Sequence, residues 1–94
     1  MKNGDIKEFL YLLYLGQEIV FDFHGQKYFL EGWSNKEEST MALDIVSSEE
    51  PFSGYAWEHR AKTMKECADA FLSAPIWEGK EFLQVESEID WTDW

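Results

Sequence analysis

Around His24-Gly25, residues whose numbers sum to 49 match in chemical kind, and this pairing constrains the fold more than any other feature of the chain. Phe21 falls opposite Tyr28, Ile19 opposite Leu30, and Asp22 opposite Lys27. A two-residue loop at His24-Gly25, both able to take positive φ, makes these pairs cross-strand neighbours in one β-hairpin. A slip of one residue destroys all three matches, so side-chain chemistry itself fixes the register. Ile19, Phe21, Phe23, Tyr28 and Leu30 then form a core face, and Asp22, Lys27, Phe29, Glu31 and Trp33 the opposite one.

The two-residue period continues downstream. Met41, Leu43 and Ile45 alternate with Ala42, Asp44 and Val46 as a third strand, and Tyr55, Trp57 and His59 alternate with Ala56, Glu58 and Arg60 as a fourth. Polar stretches separate them, Ser34 to Ser39 and then Ser47 to Gly54, which contains Pro51. Helical patterns flank the strands. Asp5 with Glu8 reads as an N-terminal cap, Ile6, Phe9, Leu10 and Leu13 as one apolar stripe, and Gly16 as the stop. Thr63 with Glu66 opens a second helix that carries Met64, Cys67, Ala68 and Phe71 at helical spacing and ends before Pro75. Residues 76–94 read as a short helical turn around Phe82 to Glu88 followed by an irregular acidic tail. The expectation is one α+β domain over residues 1–94, two-layered, with helices packed on one face of a four-stranded antiparallel sheet.

That architecture leaves the other sheet face open, so the charge becomes important. Eight basic residues against 19 acidic ones give a net charge of −11, and 45% of the 94 residues are hydrophobic. The apolar content rules out disorder of the whole chain. The charge excludes direct nucleic-acid binding, which needs Lys and Arg to displace counterions, and disfavours an anionic membrane surface. The opening apolar stretch, Phe9 to Leu15, lacks a signal-peptide cleavage site and follows Asp5 and Glu8, so a cytoplasmic protein is expected.

The residue patterns of catalysis and metal binding do not stand out. The single Cys67 excludes an internal disulfide and a cysteine-based zinc cage. It lies on an apolar helical stripe, where free cysteine behaves as a small hydrophobe. His24 occupies a turn and His59 alternates with aromatics, so both read as structural. Asp90 and Asp93 lack the glycine and bidentate acid of a calcium loop. No phosphate-cradling glycine run or nucleophile elbow occurs. A non-enzymatic protein with no cofactor and no metal is the expectation.

The placement of the acids says more. The predicted open face carries Glu18, Asp22, Glu31, Asp44 and Glu58 against Lys27 and Arg60, with Phe29 and Trp33 among them. The C-terminal stretch adds Glu86, Glu88, Asp90 and Asp93, interleaved with Trp77, Trp91 and Trp94. A solvated surface accounts for scattered acids. A charge of −11 on so small a domain, however, repels itself. Aromatic anchors among steering charges are also what an interface uses. The candidate partner-binding residues are therefore Asp22, Glu31, Trp33, Asp44, Glu58, Glu86, Glu88, Asp90, Trp91 and Asp93. Their complement is a protein with a basic groove, such as a nucleic-acid enzyme, and carboxylates placed where phosphates would lie make the chain a nucleic-acid mimic. Two other readings use the same residues: an adaptor that docks a partner or self-associates through its aromatic, acidic C-terminus, and an aromatic-lined small-molecule site between helices and sheet.

The segments FDFHGQKYFLEGW (Phe21 to Trp33), MKEC (Met64 to Cys67), FLSAPIWEGK (Phe71 to Lys80) and ESEIDW (Glu86 to Trp91) resemble small acidic proteins encoded by phages and mobile elements of Gram-positive gut bacteria. The resemblance covers most of the chain. It implies a setting in which short acidic proteins inhibit host defence nucleases, as anti-CRISPR proteins do.

Overall fold

A computed structural model describes residues 1–46 and 55–93, with the side chain of Asp93 outside the description. The chain runs α1 (Ile6–Leu15), β1 (Ile19–Phe23), β2 (Gln26–Ser34), β3 (Ser39–Val46), β4 (Tyr55–Ala61), α2 (Met64–Ser73), two single 3-10 turns (Phe82–Gln84 and Glu86–Glu88) and β5 (Ile89–Asp93). The fold is α+β, with two helices and a five-stranded antiparallel sheet in the order β4-β3-β2-β1-β5.

The first hairpin has the register that side-chain matching requires: Ile19 faces Leu30, Phe21 faces Tyr28 and Asp22 faces Lys27. His24 and Gly25 both have positive φ, 49° and 81°, the pair of conformations a tight turn matched to strand twist demands. Thr63 caps α2 by accepting from the Glu66 amide at 3.2 Å, while the Glu66 carboxylate reaches back one residue further than expected, to the Lys62 amide at 3.1 Å. Asp5 caps α1 through the Lys7 amide at 2.9 Å. Phe9 and Leu13 of α1 and Cys67, Ala68 and Phe71 of α2 pack with Ile19, Phe21, Leu30, Met41 and Leu43 of the sheet. Tyr14, off the apolar stripe, donates to Asp69 and joins α1 to α2.

The C-terminal third departs from expectation. It is a fifth strand rather than an irregular tail, and the sheet has five strands rather than four. Trp91 pairs with Phe21 and Asp90 with Asp22, and Trp91 is 7% exposed. The reason lies in Trp77, which is buried among the rings of Phe21, Phe23, Tyr28, Phe71 and Phe82. A tight turn at Glu78-Gly79, both at positive φ, follows it, with the backbones of Trp77 and Lys80 paired. Phe82, Val85 and Ile89 are then buried in succession, which brings the chain onto the open edge of β1. Backbone bonds of Lys2 to Ile89 and Trp91, at 2.8 and 2.9 Å, continue the ladder on the far side of β5.

The fourth strand also differs. Leu43 faces Trp57 but Asp44 faces Tyr55, so Ala56 is the extra residue of a bulge. The bulge moves Tyr55 off the face it shares by alternation with Trp57 and onto the face of Asp44. The loop Ser47 to Gly54, with Glu49 and Glu50, and Trp94 lie outside the described residues. No helix among the described residues is long and apolar enough to cross a membrane.

Candidate functional site

Because both helices pack against the face of Phe21, Leu30 and Leu43, the sheet presents its other face outward. Cross-strand partners share a face, so the register assembles that surface directly. Phe29 faces Asp44, Asp44 faces Tyr55, Glu31 faces Ala42, Ala42 faces Glu58, and Trp33 faces Thr40. Of the candidate residues, Asp22, Glu31, Trp33, Asp44 and Glu58 therefore occupy one surface, which Asp90, opposite Asp22, continues onto β5. Trp33 and Tyr55 are exposed at 45% and 51%.

Two cations of this face, Lys27 and Arg60, are engaged with acids beside them. Lys27 Nζ lies 3.3 Å from Asp22 Oδ1, and Arg60 Nε donates to Glu58 Oε1 at 3.1 Å. Three acids remain. Among the described residues no ion pair or hydrogen bond reaches the carboxylates of Glu18, Glu31 or Asp44. Their charges act on one another. Partial burial pushes the Glu31 carboxyl above the usual range, and the charges of Glu18 and Asp44 push it further. Burial alone raises Asp44, which is only 7% exposed. A run of mutually repelling, unneutralised carboxylates costs folded stability.

The C-terminal candidates are placed differently. Glu86 pairs with the Met1 ammonium, Glu88 Oε1 bonds His24 Nε2 at 2.6 Å, and Asp90 Oδ1 accepts from Asn3 Nδ2 at 2.7 Å. These acids serve contacts within the fold, and Trp91 is a core residue rather than a surface anchor. Asp93 pairs through its backbone with Val20, and its side chain is outside the described residues. His24 also has Glu78 Oε2 3.4 Å from Nδ1. The Glu88 hydrogen bond raises its pKa most; burial, next in size, opposes this, and the charges of Glu78 and Glu88 add to the rise. A groove of about 360 Å³ lies beside it, lined by Lys2, Asp22, His24, Gly25, Glu88 and Asp90.

Tyr55 is the surface residue that alternation hides, because a bulge leaves no mark in a sequence this short. Beside Glu18 a groove of about 660 Å³ opens, bounded by Leu12, Leu15 and Gly32. Cys67 is buried, with Sγ 3.5 Å from the Ser39 carbonyl, and burial raises its pKa, the opposite of what activates a thiol. Among the described residues no group of three or more His, Cys, Asp or Glu is arranged to hold a metal ion. Comparisons with protein-family models, curated proteins and solved structures found no match.

Proposed function

We propose that this protein is a non-enzymatic inhibitor or docking protein whose acidic sheet face occupies a positively charged nucleic-acid site on a nuclease or another nucleic-acid enzyme. The observation that carries this reading is the run Glu18, Glu31 and Asp44, which no ion pair reaches among the described residues, while Lys27 and Arg60 on the same face are spent on Asp22 and Glu58. A surplus of this kind, with Phe29, Trp33 and Tyr55 around it, complements a basic groove. The charges steer encounter, and the aromatic rings supply contact area. The net charge of −11 extends the field beyond the contact surface. The resemblance to small acidic proteins of phages and mobile elements supports the same setting, with action in the cytoplasm, where such enzymes work.

The adaptor reading depends on an exposed aromatic C-terminus. Burial of Trp91 removes one of its anchors, and the exposed aromatics Trp33 and Tyr55 stand instead among the acids of the sheet. The test offers the immobilised protein a panel of purified, nucleic-acid-free nucleases and polymerases. Binding that is displaced by duplex oligonucleotide supports mimicry. Binding that tolerates bound oligonucleotide favours the adaptor.

A further inference from the structure

Asp44 is the most deeply placed acid of the open face, and its surroundings are unusual for a carboxylate. Its ladder partners on either side are both aromatic, Phe29 on β2 and Tyr55 on β4. The residue is 7% exposed, and among the described residues no hydrogen bond or ion pair reaches its side chain. A carboxylate on a residue so largely covered by protein, with no partner of its own, loses part of its hydration at a cost, and its oxygens are left to a group that approaches from solvent. Sequence and register thus provide a negative group at the floor of the face with a ring on each side.

Two cationic side chains can complete such a site, and they differ in how well they fit. A lysine ammonium is compact and strongly hydrated, and offers a point charge. An arginine guanidinium is planar and more weakly hydrated, bonds a carboxylate through two parallel N–H groups, and stacks on aromatic faces. Only the second uses both the carboxylate and the rings that flank it. Glu31, partly buried and repelled by Asp44, gains from a cation placed there as well.

We infer that Asp44, Phe29 and Tyr55 form a guanidinium-binding subsite that takes an arginine side chain from the basic surface of the partner. The inference rests on the acidic-face reading and deepens it, because it names the side chain that anchors the complex. It commits the face to arginine over lysine at this position, whereas Glu18 at its margin takes either.

The test compares two synthetic peptides of equal charge, one with arginines spaced by glycine and one with lysines at the same positions, titrated into isotopically labelled protein at low salt. The arginine peptide is expected to bind about tenfold tighter, with the largest amide shifts at Phe29, Asp44 and Tyr55. Asp44→Asn, checked for an unchanged thermal midpoint, should abolish that preference and leave both peptides equally weak. Tyr55→Ala, at an exposed position, provides a second variant and should reduce the preference severalfold. Equal, salt-sensitive binding of the two peptides overturns the subsite while leaving the acidic docking face intact. An arginine preference that survives in folded Asp44→Asn also overturns it. Failure of both peptides to bind overturns the subsite together with the reading beneath it.

Discussion

Phe21 lies directly opposite Tyr28 across the first hairpin, and their rings stack with centroids 5.6 Å apart. On its other side Phe21 faces Trp91, and it also packs edge-on against Phe9 and Phe82. One side chain thus joins β2, β5, α1 and the first 3-10 turn. Phe21→Ala is expected to cost about 3–5 kcal/mol in urea unfolding, because the cavity it leaves is walled by rings from elements that cannot all relax. A loss below about 1 kcal/mol would place Phe21 outside the core.

Gly4 supports the far end of the same cluster. A Cβ at this position would collide with the six-membered ring of Trp91, which is nearly buried. Gly4→Ala should therefore destabilise the fold by about 1–3 kcal/mol, the usual cost of overpacking, and should broaden or shift the Trp91 indole resonance. An unperturbed indole signal with unchanged stability would mean that β5 does not dock as described.

His24 predicts a pH dependence with a definite sign. Glu88 and Glu78 favour its protonated form in the folded state, so its folded pKa lies above the unfolded value of 6.5. Its contribution to stability is fully present below that value and is lost as pH rises through the folded pKa. His24→Asn keeps a residue that tolerates positive φ and removes the titration. The wild-type protein should lose thermal stability relative to this variant as pH rises from about 6.5. Asp69 acts at the other end: Lys65, and then Tyr14, depress its pKa, so its contribution is present above 3.8 and is lost as pH falls through the lower folded value.

Cys67 should label slowly. It is fully buried on α2, its thiol pKa is raised by burial, and a thiol reacts through its thiolate. A maleimide reagent should modify it at a rate set by unfolding, rising steeply in urea. Cys67→Ser and His24→Asn are both expected to leave partner binding unchanged. Fast labelling in native buffer would show an open path to the α2–sheet interface.

The two-residue period made the first three strands legible, and the cross-strand matches made the register of the first hairpin legible, because Phe21-Tyr28 and Asp22-Lys27 are chemically unambiguous pairs. The fourth was legible only in outline. Its bulge at Ala56 reflects local packing that alternation cannot carry, so a strict two-residue period groups Tyr55 with Trp57 whereas the ladder sets it beside Asp44. The fifth strand was hidden for a different reason. Five acidic residues from Glu81 to Asp93 resemble a solvated tail, and the burial of Trp77 and Trp91 depends on contacts with residues of the first hairpin, far back along the chain. The turn at Glu78-Gly79 was the available signal, since it repeats the His24-Gly25 arrangement of a residue at positive φ followed by glycine. The acids of the open face followed from register alone, whereas their lack of partners required the positions of Lys27 and Arg60.

Charge reversal at the margin of the acidic face separates steering from folding. Glu18 is exposed and has no partner among the described residues, and Glu58 lies at the opposite side of the face. Glu18→Lys with Glu58→Lys should slow association with a basic partner severalfold, while the thermal midpoint changes little, since exposed charges contribute about 1 kcal/mol or less to stability. Unaltered association kinetics in the folded double variant would place the contact surface elsewhere.

The most direct measurement of the central claim is the affinity for a captured nucleic-acid enzyme as a function of salt, with and without competing duplex oligonucleotide. If the carboxylates of Glu18, Glu31 and Asp44 stand where phosphates would lie, affinity should fall steeply as screening shortens from about 10 Å at 0.1 M to about 3 Å at 1 M. The oligonucleotide should then displace the protein fully. An affinity that is the same at both salt concentrations, or a ternary complex with the oligonucleotide bound beside this protein, would contradict the account.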